Sequence, residues 1–245
     1  MGEALFWGIF AGSSLILGGA IGVWLPLSRE VRGLIMGFGA GVLISAVAYE
    51  LVDDAFAAAD GFAIVAAGLF AGAATFFVGD GLIDKMGGGE RKRSEGTRAA
   101  AGGAALAIVL GIVLDGVPES AVIGLTLLEG GGVSVAMIVA VFLSNLPEAI
   151  AATTGLARSG WSRQRIFGLW ALVTLVSGLS ALIGYVVFDG AGPRALAFVL
   201  AYAGGAILTM LADTMMPEAF ERGGRSTGLA TTLGFAVAFA ITALE

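Results

Sequence analysis

Leu114–Leu125 reads LDGVPESAVIGL, and Leu143–Thr154 reads LSNLPEAIAATT. Each sets a proline and a glutamate, Pro118–Glu119 and Pro147–Glu148, inside a long apolar run. A carboxylate in an apolar environment costs free energy unless it is paired or neutralised. A proline inside a helix leaves the carbonyl four residues back without its N–H, here those of Leu114 and Leu143. Two segments that accept both costs at an offset of 29 residues call for one common reason. Helical periodicity places Asp115 with Glu119, and Ser144 with Glu148, on shared faces one turn apart. With Asn145 and the carbonyls loosened by the prolines, these side chains would form an oxygen-rich cage. Two facing glutamates repel unless a cation lies between them or one is protonated.

The surroundings set the class. Of the chain's residues 58% are hydrophobic and 13% charged, 40 are glycine, and the mean hydropathy is +0.94. Soluble domains carry about 25% charged residues. The chain therefore reads as an all-α integral membrane protein. Long, non-alternating apolar runs favour helices over a barrel. Eight spans of roughly 20 residues each are expected, at about 4–27, 33–57, 61–83, 99–128, 131–157, 166–188, 194–219 and 226–244. Seven is the alternative, if one weaker segment only lies along the interface. The opening MGEALFWGIF has no basic leader region, so it reads as the first span and not a cleaved signal. With no cysteine and no histidine, disulfides, thiolate metal sites and imidazole ligands or shuttles are excluded.

Charge gives orientation. With eight spans, every Lys and Arg except Arg194 falls on one side. These are Arg29 and Arg32; Lys85, Arg91, Lys92, Arg93 and Arg98; Arg158, Arg163 and Arg165; and Arg222 and Arg225. Basic loops face the cytoplasm, so both termini are expected outside it, in a multi-pass protein of the cell (inner or plasma) membrane. The loop at 84–98, rich in glycine and charge, is the expected mobile segment, and the positive-inside rule explains its basic residues.

An internal repeat is also legible. FGAGVLISAVAYELVDDAF (38–56) aligns without gaps to YAGGAILTMLADTMMPEAF (202–220), an offset of 164. The expected plan is one transmembrane domain over 1–245. Repeat 1 covers about 1–83 and repeat 2 about 166–245, with central helices 99–157 between them, the halves related by a pseudo-two-fold axis in the membrane plane. Inverted repeats are a device of secondary transporters, with the site near the midplane. Glu50 and Asp213 lie deep in helices 2 and 7. Asp53 and Asp54 lie near the outer ends, and Asp80, Asp84 and Glu218 near the inner ends. If all of them face the bundle interior, they trace an acidic pathway that attracts cations. Met210, Met215 and Met216 read as packing, and Trp7, Trp24 and Trp161 as interfacial belt residues.

The paired motifs resemble those of the ZIP (Zrt-, Irt-like) divalent-metal transporters, whose fourth and fifth helices carry sequences like HNxPEG and HNIPEG or HExPE. DGVPES (115–120) and SNLPEA (144–149) are similar to these in order and spacing, and the likeness extends over essentially the whole chain. It implies eight helices in a 3+2+3 inverted repeat and a carrier that moves a divalent cation (zinc, manganese, iron or cadmium) toward the cytoplasm, with no enzymatic activity and no cofactor. It implies that Glu119, Glu148 and Asn145 bind the metal, with Asp115 and Ser144 standing where the family has histidines. Gly116 stands where the fourth helix usually has Asn, and the sixth helix supplies no carboxylate, only Thr174, Ser177 and Ser180. Oxygen ligands suit hard ions such as manganese, while zinc still accepts carboxylates. The resemblance also allows a homodimer. Membrane lipid is an expected partner and nucleic acid is not.

Three other classes stay open. A proton-linked carrier of the same fold would use the acids as a relay, and a non-transporting member would act as sensor or scaffold. A membrane hydrolase would need a nucleophile and a base. Lys85 and Lys92 both lie in a loop, which argues against an intramembrane Ser–Lys pair, and an Asp115–Asp213 dyad has no supporting motif.

Overall fold

The computed structural model describes residues 1–25, 27–59, 61–85, 103–128 and 132–244, with 103–109 as backbone alone. Arg91, Lys92, Arg93 and Arg98, and with them the mobility expected of their loop, lie outside the described residues. Within these the chain is helical, without strands: α1 (Gly2–Trp24), α2 (Arg29–Ala58), α3 (Phe62–Lys85), α4 (Gly103–Thr126), α5 (Val135–Arg158), α6 (Arg163–Phe188), α7 (Pro193–Gly223) and α8 (Ser226–Thr242). Six of them (α1, α2, α3, α5, α6 and α7) are long and apolar enough to cross a membrane, and α8 is a shorter apolar helix. The protein is thus a multi-pass membrane protein by length and composition.

Local chemistry sets the helix ends. Ser28, Ser134 and Ser162 cap α2, α5 and α6, each accepting the N–H three residues on, at 3.2, 3.0 and 3.4 Å. Pro193, whose missing N–H costs nothing in a first turn, opens α7. After α5, Gly160 at φ 84° turns the chain so that the Trp161 N–H returns to the Leu156 carbonyl at 3.1 Å.

α2 and α7 are not uniform. Val47–Asp53 of α2 and Leu211–Met215 of α7 are wound as π-helix. Both segments begin at the same place in the aligned sequences, since Val47 and Leu211 are 164 residues apart. Neither segment was visible in the hydrophobic pattern, because a widened turn leaves apolar residues apolar.

Helix packing repeats with the same regularity. α2 lies parallel to α8, and α3 parallel to α7, each pair in extensive contact. A Cβ on Gly41 of α2 would collide with the Thr231 carbonyl of α8, and one on Gly205 of α7 with the Leu69 carbonyl of α3. Gly234 abuts the Phe38 carbonyl and Gly72 the Tyr202 carbonyl in the same manner. Residues 38 and 202, like 41 and 205, are 164 apart, and these contacts match α3 to α8 at an offset of 162. α1 packs on α5 as α4 packs on α6, and α1 and α6 meet each other. Small residues at such crossings let backbones touch, which replaces the hydrophobic drive that lipid cannot supply.

The helix directions gather the described basic residues. Arg29, Arg32, Lys85, Arg158, Arg163, Arg165, Arg222 and Arg225 lie at one end of the bundle, and exposed Arg194 at the other. At the basic end Arg29 pairs with Glu221 at 3.1 Å, Arg222 pairs with Glu218, and the Thr227 hydroxyl donates to the Ala219 carbonyl at 3.0 Å.

If backbone contact at the glycines holds the parallel pairs, Gly41→Val in α2 should destabilise the protein by about 1–3 kcal/mol through overpacking. Gly81→Ala, where an added Cβ meets nothing within 4 Å, should be neutral or slightly stabilising. Thermal unfolding of the detergent-solubilised protein measures both. Equal effects would remove the glycines' special role.

Candidate functional site between α4 and α5

α4 and α5 run through Pro118 and Pro147 without a break in the helix. The prolines leave their N–H positions empty at Leu114 and Leu143. At the second position the structure shows what lies beside the loosened carbonyl. Gly39 of α2 lies so close that an added Cβ would be 3.1 Å from the Leu143 oxygen, 3.3 Å from Ser144 Cα and 3.4 Å from Pro147 Cγ. No side chain there separates α2 from the turn of α5 that Pro147 leaves one hydrogen bond short.

The polar groups follow from that turn. Ser144 is fully buried, and its single hydroxyl proton is within reach of both Glu119 Oε2 of α4 at 3.3 Å and the Val141 carbonyl at 3.1 Å. Glu119 is 1% exposed and Asn145 2%. Asp115, one turn before Glu119, is buried and near enough for the two carboxylates to interact. Ser120 beside Glu119 is also buried. Among the described residues Glu119 Oε1, Ser120 Oγ and Asn145 Nδ2 have no hydrogen-bond partner. A buried polar atom left so costs about 1–3 kcal/mol, and more when charged. Such groups mark a strain reservoir, a reactive site, or the place of a water or ion. A half-turn of the Asn145 amide would present its oxygen in place of its nitrogen, so Glu119, Ser120 and Asn145 can all offer oxygen.

The structure thus brings Asp115, Glu119 and Ser144 together, with Asn145 buried on the same stretch of α5 and Glu148 half-buried one helical step beyond Pro147. Among the described residues no three Asp, Glu, His or Cys side chains converge into a group that could hold a metal ion. The oxygens near Glu119 therefore come from a mixed set of carboxylate, hydroxyl and amide.

The pathway acids separate into different settings. Glu50, in the π segment of α2, is buried at 6% exposure. Its Oε2 accepts from the Ser134 hydroxyl at 2.5 Å and its Oε1 from the Thr242 hydroxyl at 2.8 Å. Asp53 and Asp213 lie on exposed flanks, Asp54 is half-buried, and Asp80 is buried toward the end of α3. Glu218, half-buried, is neutralised by Arg222 one turn later.

Sequence reasoning passed over three participants. Ser120 follows Glu119 directly and lacked the helical spacing that singled out Ser144. Ser134 was within reach, because a serine just before an apolar run is a capping signal; starting the helix at 131 hid it. Thr242 carries no signal at all. Thr174 and Ser177, noted as the polar groups of the sixth helix, are buried against α1. Thr174 donates to the Gly12 carbonyl at 2.9 Å, and Ser177 lies against Gly12. Buried Met210 and Met215 are packed in the apolar core.

Compared with known protein families and with curated proteins, the chain matches none.

The unpartnered oxygen of Glu119 makes a prediction about cation-free protein. Glu119→Gln keeps an acceptor for Ser144 and removes the buried charge, so the unfolding temperature should stay the same or rise. Trp170→Phe is the contrast: Trp170 Nε1 donates to Thr153 Oγ1 at 2.8 Å in a fully buried contact. Its loss should cost about 1–3 kcal/mol. A Glu119→Gln protein that melts well below wild type would mean that the carboxylate is a structural tie.

Proposed function

We propose that this protein is a ZIP-like secondary transporter that carries a divalent cation across the membrane toward the cytoplasm. Its eight helices form a 3+2+3 inverted repeat, with both termini outside the cytoplasm. The observation that carries the reading is Glu119, a carboxylate sealed in the α4–α5 contact with one oxygen unpartnered, beside Ser144, Ser120 and Asn145. A passing cation supplies what that oxygen lacks. Glycine contacts and π segments recurring at an offset of 164 support the repeat. Basic residues gathered at one end support the orientation.

Cargo binds as substrate. Glu119 and Asp115 supply charge, Ser144 and Asn145 supply neutral oxygens, and Glu148 joins from the next turn of α5. Such a set favours hard ions, manganese and iron before zinc. The carrier alternates by rocking the repeats about α4 and α5, so that the site opens to one side at a time. No covalent step is involved.

One observation favours a second reading. Because no three potential ligand side chains converge among the described residues, the acids could serve a proton-linked carrier that binds no metal.

Uptake into proteoliposomes decides between them. Manganese(II), iron(II), zinc(II) and cadmium(II) are offered to wild type and to a Glu119→Gln, Glu148→Gln double variant. Uptake of at least one ion is expected, falling at least tenfold in the variant. Correctly inserted wild type that moves none of the four would end the metal reading and leave the proton-linked one.

A further inference from the structure

Glu50 was expected on a cation pathway, but the structure gives its carboxylate two hydroxyl partners from two other helices. Thr242 stands at the end of α8, the helix packed backbone to backbone against α2, and Ser134 caps the start of α5. One carboxylate therefore ties the α2–α8 pair to the first turn of the helix that carries Ser144, Asn145 and Glu148. The π turn lies where this carboxylate must be presented to both hydroxyls.

The other end of the bundle offers a built-in comparison. At the offset of 164, Glu50 corresponds to Thr214 in the π segment of α7. At the offset of 162 fixed by the glycine contacts, Thr242 corresponds to Asp80 of α3. At the offset of 29 between the proline motifs, Ser134 corresponds to Ala105 of α4. Acid and hydroxyl have thus changed places between the paired helices, and the central helix has no hydroxyl at the equivalent position. The Thr214 hydroxyl is buried and has no hydrogen-bond partner among the described residues. The tie is made at the end opposite the basic residues, and the Thr214 hydroxyl makes no equivalent bond among the described residues.

We infer that Glu50 is a latch that holds the outer end of α5 against the α2–α8 pair, so that the outer side of the α4–α5 site stays shut until the Glu50–Ser134 bond breaks. The inference rests on the orientation and alternating movement proposed above. It makes Glu50 a positioning residue and not a cation ligand.

The chain has no cysteine, so spin labels can be placed without removing native thiols. Labels on Phe56→Cys and Val135→Cys report the outer separation of α2 and α5. Labels on Phe220→Cys and Ala157→Cys report the basic end, between α7 and α5. All four positions are exposed. Distances are measured by pulsed electron resonance without added divalent cation, so the outcome does not depend on what is carried.

Ser134→Gly removes the hydroxyl while glycine remains an acceptable cap. It should raise the longer-distance population of the outer pair about fivefold, the worth of one ordinary hydrogen bond, with a reciprocal shortening at the basic end. Glu50→Leu should do the same. Thr242→Val, which breaks only the bond inside the α2–α8 pair, should shift the outer distance less. Unchanged outer distances in both Ser134→Gly and Glu50→Leu overturn the latch, as does an equal shift in Thr242→Val, which would indicate general loosening. Distances that respond as expected in a protein that moves no metal would leave the latch standing and the cargo reading refuted.

Discussion

The arrangement depends on places where a glycine lets one helix backbone rest on a carbonyl of another, four of them in two parallel pairs. Gly41 and Gly234 join α2 to α8; Gly72 and Gly205 join α3 to α7. In lipid the apolar side chains of two helices gain little by leaving the solvent for each other, so close backbone packing has to do the work of association. Two stiff parallel pairs result. α4 and α5, each carrying a proline in its middle, pack beside these pairs. Gly39 lets α2 lie beside the Leu143 turn of α5 without a side chain intervening.

That division explains where the polar groups went. A buried carboxylate is tolerable when donors surround it. Glu50 illustrates this, with a hydroxyl on each oxygen. Glu119 has one oxygen bonded and one not, in a setting equally sealed from water. The same residue type therefore plays two parts in one bundle. At one end it closes a contact between helices, and at the centre it leaves a valence open. The difference comes from how many hydroxyls the neighbouring helices bring, and the distinction matters more than the charge the two share.

Much of this was legible in the chain. Apolar runs and their breaks placed the helices within a few residues, because span length is set by bilayer thickness. The paired Pro–Glu motifs singled out Glu119, Ser144 and Asn145, but helical spacing paired Ser144 with Glu148 on its own helix, and its contact with Glu119 depends on α4 lying alongside. The fate of the remaining acids was not legible. Periodicity cannot say whether Glu218 meets Arg222 or water, or that Asp213 lies on an exposed flank, because those outcomes depend on which helix lies alongside. Ser134 and Thr242 lie far from Glu50 in sequence, and only the parallel packing of α8 on α2 and the start of α5 at that end bring them to it.

The π segments carry a history as well as a shape. Each turn of π-helix takes in an extra residue relative to an α-helix, which rotates everything beyond it by about 100°. An insertion of that kind in the middle of a packed helix disturbs every contact downstream, so acquiring it twice, at the same register, is costly. If the inverted repeat proposed above arose from one duplicated three-helix unit, that unit carried the widened turn before its two copies were joined. Afterwards the copies diverged inside a shared frame: one put a glutamate on that turn and the other a threonine, so that a symmetric scaffold acquired ends of unequal strength.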